Sequence, residues 1–464
     1  MSEKFGNNLT VGSIPRHLLI FSVPMLIGNL IYTGYSLVNT IWVGNIVGEN
    51  GVGAIAVSIP IVLIMFAIVS GLTLAISILV SQYYGAKNYK MVEKVVNNSI
   101  TITLIIGTFL TFLGIIFSDH FLKLVGTPID IYAMASGYLK ISIAGFPFMF
   151  FAFLIISMLR GIGDTVTPMI FMVISIALNA ILDPLIIIGV GPFPKLGLNG
   201  AAYASLIAQG TAVLLALVYL KHKNHLVIVD PRKFIFDKQL SLLIFKIGMP
   251  SVIQQSLVAI GTIFITYYVN QFGPAATDAF GAALRVEQIA VIPAFSLNIA
   301  VAALTAQNLG ANKPERIKEV FKWGIIYTSI ITVLISIFAV SFPEVILSTM
   351  GFNRNSASFE IGVTYLRIVG ASYILYAIMY VANGIINGAG HTIKTMLISL
   401  FSLWVIRVPL AAVLSKTSMG IIGIWVAIVI SYGVVMAISL IYYFSGSWKR
   451  NVVKTYIQPE PEFE

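Results

Sequence analysis

The chain has no cysteine among its 464 residues, which excludes disulfides, thiolate metal sites and thiol nucleophiles. Charge is nearly as scarce. Only 10% of residues are Asp, Glu, Lys or Arg, 58% are hydrophobic, and the mean hydropathy is +0.95. Soluble domains carry about 25% charged residues, so that class is excluded as well. The 5 histidines are scattered and form no metal-ligand cluster with acids. There is no G-x-x-x-x-G-K-[ST] phosphate loop and no polar segment large enough for an ATPase domain. Uphill transport by such a chain needs an ion gradient, or energy supplied by another chain. No nucleophile–base pair and no paired mid-membrane acids point to an enzyme, and no cofactor is expected. Residues 1–16 are polar, with Lys4 and Arg16, and lack the short apolar core and cleavage site of a signal peptide.

What the chain does have is apolar runs. Twelve of them, at 17–46, 52–84, 96–118, 131–160, 165–190, 198–220, 241–271, 277–309, 320–341, 356–388, 394–414 and 419–445, reach or exceed the ~20 residues that cross a bilayer as a helix. The predicted fold class is an all-α integral membrane protein. Most of the 28 lysines and arginines fall on one side of these spans, which predicts that both termini face the cytoplasm of a multi-pass inner (plasma) membrane protein. The net charge of +10 then faces anionic lipid, and no nucleic acid is needed to explain it.

The runs repeat. Ser81-Gln-Tyr-Tyr-Gly-Ala-Lys-Asn matches Ala306-Gln-Asn-Leu-Gly-Ala-Asn-Lys, Phe21-Ser-Val-Pro-Met-Leu-Ile matches Ile247-Gly-Met-Pro-Ser-Val-Ile, and Arg160-Gly-Ile-Gly-Asp-Thr matches Asn387-Gly-Ala-Gly-His-Thr, all in nearly the same register. The polar stretch Lys221–Lys238 separates the halves. The predicted domains are an N-terminal six-helix bundle (1–220), a cytoplasmic linker (221–239), a C-terminal six-helix bundle (240–445) and a cytoplasmic tail (446–464). Six spans per half is even, so the two bundles are expected to be related by a pseudo-two-fold axis along the membrane normal, an arrangement that favours transport.

Within the fifth span, Asp183 is a carboxylate at membrane depth, with Asn179 one turn earlier on the same helix face. Pro184 follows and frees the carbonyl of Ala180 from its helical bond. A carboxyl, an amide and a loosened carbonyl at one depth suit a proton or a small cation. The blander reading is an acid locked to a structural Arg or Lys; an ionisable group in a span is a functional candidate by default.

In order and spacing these motifs resemble the multidrug and toxic compound extrusion (MATE) family. They are Pro24 with Val38-Asn-Thr-Ile-Trp-Val-Gly44, Ser81-Gln-Tyr-Tyr-Gly-Ala86, Arg160-Gly-Ile-Gly-Asp-Thr165, Asn179-x-x-x-Asp183-Pro184, Gly200-Ala-Ala-Tyr-Ala-Ser205, Ile292-Pro-Ala-Phe-Ser and Ala306-Gln-Asn-Leu-Gly-Ala311. The resemblance covers about residues 15 to 445 and is closest to prokaryotic members with an ion site in the N-terminal bundle. It implies alternating-access export of organic cations or amphipathic drugs in exchange for H⁺ or Na⁺, by a monomer in contact with membrane lipid. One departure matters: such members have Asp before Thr in the first helix, and this chain has Asn39-Thr40. The resemblance therefore implies an ion site of Asp183, Asn179, Asn39 and Ser205, the only metal expected being Na⁺ at Asp183. Pro24 and Pro184 are expected to bend their helices.

The second half carries Arg285 and Glu287 in its eighth span, Arg367 in its tenth and Arg407 in its eleventh. Arg285 and Glu287 are two apart and do not share a helix face. A direct Glu287–Arg407 pair, roughly 20 Å deep at 1.5 Å per residue, is expected as a structural neutralisation. The resemblance marks Arg285 as a substrate or release residue. Gln254 stands where other branches have a coupling Glu, which predicts no ion site of that type. Lys140 is expected to snorkel outward rather than approach Asp183. Aromatic and Met side chains such as Tyr32, Tyr35, Phe146, Phe148 and Met149 are available for lipophilic cations. The alternative is a flippase for a lipid-linked or amphipathic substrate of the same superfamily.

Overall fold

The structure, a computed structural model, describes residues 6–228 and 234–449. Lys4, Arg232, Lys233, Arg450, Lys454 and the tail from 450 onward lie outside the described residues, with the assignments made for them. Sixteen α-helices follow in order: α1 (Ile14–Val47), α2 (Glu49–Gly85), α3 (Tyr89–Leu124), α4 (Ile129–Ala144), α5 (Phe146–Gly161), α6 (Val166–Ile188), α7 (Leu198–His222), α8 (Lys238–Asn270), α9 (Pro274–Gly310), α10 (Ile317–Ser341), α11 (Pro343–Thr349), α12 (Ala357–Ile368), α13 (Tyr373–Gly388), α14 (Thr392–Leu400), α15 (Val408–Leu414) and α16 (Ile421–Phe444). No strand occurs among the described residues. In lipid every backbone N–H and C=O must be satisfied internally, and helices do that within one segment.

By length and composition eleven spans pass as single or continued helices, and α4 with α5 makes the twelfth. That pair is bent by 42°. The break falls at Gly145, which closes α4 through its N–H to the Ile141 carbonyl (3.0 Å). α1 and α6 run through Pro24 and Pro184 as unbroken helices.

The sequence repeat is a repeat of backbone geometry. At the end of α2, Ala86, Lys87 and Asn88 donate to the carbonyls of Gln82 (2.9 Å), Tyr84 (3.0 Å) and Tyr83 (3.0 Å). At the end of α9, Ala311, Asn312 and Lys313 donate to Gln307 (2.9 Å), Leu309 (3.0 Å) and Asn308 (2.8 Å). Lys87 and Asn312 both take the left-handed conformation, at φ 59° and 57°. The turns after α5 and α13 match likewise, with Gly163 and Gly390 at φ 88° and 85°. These positive angles favour glycine. Just before them Gly161 sits against the Val80 side chain and Gly388 against the Ala302 carbonyl, where a Cβ would clash.

The chain divides into two compact units, Met1–Asn8 with Pro24–Met249 and Leu9–Val23 with Pro250–Glu464. These units part inside α1 and α8, at Pro24 and Pro250. A proline removes one helical hydrogen bond, so the segments on either side can pack with different bodies. Thus Leu9 donates to Gln307 Oε1 (3.0 Å) and Lys313 donates to the Thr10 carbonyl (3.0 Å), both within the second unit. Asp237, just before α8, pairs with Lys94 (2.7 Å) within the first.

Within the first unit α6 and α7 form a hairpin. Gly189 ends α6 at φ 82°, and Leu196 and Gly197 donate back to the carbonyls of Ile186 (3.1 Å) and Ile187 (3.2 Å). Gly200 lets α7 close on α6, because a Cβ there would lie 2.8 Å from the Ile186 carbonyl. The second unit packs around Trp425, stacked on Phe280 at 5.6 Å and edge-on to Tyr365 at 4.7 Å.

Candidate functional site

Asp183 has no solvent exposure and Asn179 only 6%. Both project from α6 one turn apart. Facing them from α1 are Tyr35 and Asn39, also one turn apart on one face. Asp183 Oδ2 accepts from Asn39 Nδ2 (2.6 Å) and from the Tyr35 hydroxyl (2.7 Å), and its Oδ1 accepts from Asn179 Nδ2 (3.2 Å). The Tyr35 hydroxyl also makes a short contact with Asn179 Oδ1. Its single proton serves one of these acceptors at a time. Ser205, brought in by α7, donates to Asn179 Oδ1 (3.3 Å).

The four residues expected at this site are therefore together, around one buried carboxyl. Tyr35 is the participant sequence reasoning missed, placing it instead among candidate aromatic lining residues. The available signal was its position one turn before Asn39. No lysine or arginine pairs with Asp183 among the described residues. Lys140 pairs with Asp119 at 2.6 Å, with Ser136 donating to the same carboxylate (2.6 Å). The reading of Asp183 as one half of a structural salt bridge is thus not what the structure contains. The arrangement is a carboxyl compensated only by N–H and O–H donors, from two helices that do not share a hairpin. Such a group can exchange charge, taking up a proton or a cation, without stranding a buried partner ion.

The second unit holds a different arrangement. Glu287 on α9 accepts from Tyr432 (2.6 Å) through one oxygen and from Tyr365 (2.7 Å) through the other. The Arg407 guanidinium lies over the Tyr432 ring, 4.6 Å from its centroid, and its Nε donates to Ser431 Oγ (2.6 Å). Arg407 ends a π-helical segment, Phe401–Arg407, between α14 and α15. Such a segment re-aims a side chain by one extra residue per turn. The direct Glu287–Arg407 pair expected from the sequence is not formed; Tyr432 touches both charges, its hydroxyl on Glu287 and its ring under Arg407. Arg285 is exposed and has no hydrogen bond or ion pair among the described residues. Gln254 donates to Ser399 Oγ (2.7 Å), and Arg367 pairs with Glu344 (2.7 Å).

Comparison with known proteins adds the following. The MatE family model matches residues 24–185 and 250–413, once in each half. The probable multidrug resistance protein YoeA of Bacillus subtilis is 33% identical over 451 residues, covering 96% of this chain and 96% of that protein. An FAD transporter of Shewanella oneidensis is 26% identical over 446 residues, covering 95% of this chain and 96% of that protein. Among solved structures, a MOP superfamily transporter from Pyrococcus furiosus superposes with a TM-score of 0.88 at 23% identity, covering 95% of this chain and 98% of that one.

Proposed function

The chain belongs to the MATE family of multidrug efflux transporters, and from that premise we propose that it is a secondary active antiporter in which Asp183 couples inward movement of H⁺ or Na⁺ to export of organic cations and amphipathic drugs. The observation that carries this reading is the burial of Asp183 without a cationic partner among the described residues. Tyr35 and Asn39 tie α1 to α6 through a carboxylate that accepts three donors. Protonation removes the charge that strengthens those three bonds, since charge-assisted hydrogen bonds are roughly twice as strong as neutral ones. Tyr35 keeps an alternative acceptor in Asn179 Oδ1. Proton uptake therefore loosens the tie between the two helices. The oxygens of Asp183, Asn179, Tyr35 and Ser205 are hard ligands that also suit Na⁺, provided Asn39 and Asn179 turn their amide oxygens inward. Either ion changes the same tie, so either can bias a two-state element. The reading places both termini in the cytoplasm and takes the transporter as a monomer.

A flippase for a lipid pyrophosphate needs free cationic side chains facing its substrate. Arg367 and Arg407 are already engaged with Glu344 and with Ser431 and Tyr432, which leaves Arg285 alone of the three unengaged among the described residues and favours the exporter. The test uses liposomes containing the purified protein, loaded with a fluorescent lipophilic cation or with FAD, under separate proton and sodium gradients. Cation movement driven by one gradient and lost in Asp183→Asn is the expected result. Efflux that survives the substitution would sink the assignment of coupling to Asp183, and movement of FAD alone would replace the substrate class.

A further inference from the structure

Arg160 lies in the last turn of α5, where the apolar helix gives way to the turn 162–165. It is largely enclosed, and its Nε is shielded with no hydrogen-bond partner. No ion pair reaches its guanidinium among the described residues. Asp164, the acid of the same turn, accepts instead from the N–H groups of Val166 (3.1 Å) and Thr167 (3.0 Å) and so caps α6. The Arg160 carbonyl is itself taken by the Gly163 N–H (3.0 Å). A helix C-terminus attracts a cation, but here it offers the guanidinium no acceptor. Buried polar groups nearly always have partners, so a guanidinium without one marks a site that an acceptor fills.

The repeat supplies a control. The equivalent position in the second half is Asn387, whose Oδ1 accepts from Thr395 (2.7 Å). The same backbone turn is thus built there without a cation, and the turn itself does not require Arg160.

Arg160 opens into a narrow crevice walled by Met25, Thr165, Pro168, Met169 and Met172. Met172 reaches across toward α1 because Gly28 has no side chain; a Cβ at Gly28 would lie 2.2 Å from Met172 Cε. One cation at the end of a membrane span beside an apolar, methionine-lined wall is the pattern of an amphipathic anion. We propose that this crevice is a binding site for an anionic phospholipid, its phosphate on the Arg160 guanidinium and an acyl chain along Met25, Met169 and Met172. A guanidinium presents paired donors that match two phosphate oxygens. Thioether side chains adapt to a mobile acyl chain. The site lies wholly within the first unit and does not involve Asp183, so it stands or falls independently of the coupling mechanism.

The test is native mass spectrometry of the full-length protein in detergent, titrated with phosphatidylglycerol, phosphatidylcholine or inorganic phosphate. Wild type is expected to retain phosphatidylglycerol about tenfold better than phosphatidylcholine, whose choline cation offsets the phosphate charge that meets Arg160. Arg160→Gln should remove that preference, and Arg160→Lys should restore part of it. Met172→Trp fills the crevice while leaving the charge, and should weaken phosphatidylglycerol retention as well. Equal retention of the two lipids by wild type, or an undiminished preference in Arg160→Gln or Met172→Trp, overturns the proposal. Phosphate binding as tight as that of phosphatidylglycerol overturns it in favour of a small-anion site.

Discussion

Each unit contains one carboxylate that accepts hydrogen bonds from tyrosine, and the two differ in what balances the charge. Glu287 and Arg407 both contact Tyr432, so the second unit contains a complete acid–aromatic–base set. Asp183 has amides and hydroxyls but, among the described residues, no cation. A compensated charge gains little by binding an ion, and losing its proton balance costs fold stability. An uncompensated one is a place where a mobile cation lowers the energy. The comparison teaches that charge balance, more than the carboxylate itself, distinguishes the carboxyl proposed for coupling from the one already neutralised.

The largest expected effect is at Asp183. Asp183→Asn removes the only group of its cluster that changes charge, and gradient-driven efflux should fall to background in a liposome assay while the protein still folds and purifies. The next effect is at Tyr35. Tyr35→Phe deletes one donor to a charged acceptor, worth about 1.5–3 kcal/mol, or roughly a ten- to hundredfold loss in coupled transport rate. A rate equal to wild type would show that Asn39 and Asn179 hold the carboxylate unaided. For Glu287→Gln the comparison predicts the reverse pattern. Efflux should persist, and the melting temperature should drop, because Arg407 loses its compensating charge. Adding Arg407→Met should recover part of that loss, since a buried pair can often be replaced by apolar groups. Abolished efflux with an unchanged melting temperature would place Glu287 in the coupling machinery and erase the distinction.

The smallest effect lies outside the membrane. The Leu240 N–H, with Lys94 beside it, holds the Asp237 carboxyl below the usual carboxylate range. A depressed folded-state value means the stabilisation is present above the ordinary carboxylate pKa of about 3.9 and is lost as pH falls through the folded value. Both partners are partly exposed, so Asp237→Asn should cost under about 1 kcal/mol near neutral pH and leave transport unchanged. Thermal melts at pH 7 and pH 3 check this; the difference between variant and wild type should shrink at the lower pH.

Much of the architecture was legible in the sequence. The twelve runs followed from hydropathy, and the matches at Ser81/Ala306 and Arg160/Asn387 correspond to turns with the same hydrogen bonds in both halves. Asp183 and Asn179 were legible because a carboxylate and an amide one turn apart stand out in an apolar helix. Other features depended on side chains distant in sequence. Tyr35 is one of 20 tyrosines, and nothing local marks it as the one that reaches α6. The sequence pointed to a direct Glu287–Arg407 pair because depth can be counted along a helix, but a shared contact with Tyr432 cannot. The unit boundaries at Pro24 and Pro250 follow from contacts distant in sequence.

What the sequence determined by itself, then, was the class of solvent, the number of spans, the repeat, and the presence of a costly charge in the first half. These depend on local composition and period, which any one segment carries alone. Only the tertiary structure decided which donors meet that charge, that no cation does among the described residues, and that the Arg160 Nε is left without an acceptor there. Those outcomes depend on which helix faces meet, and that follows from the packing of the whole unit.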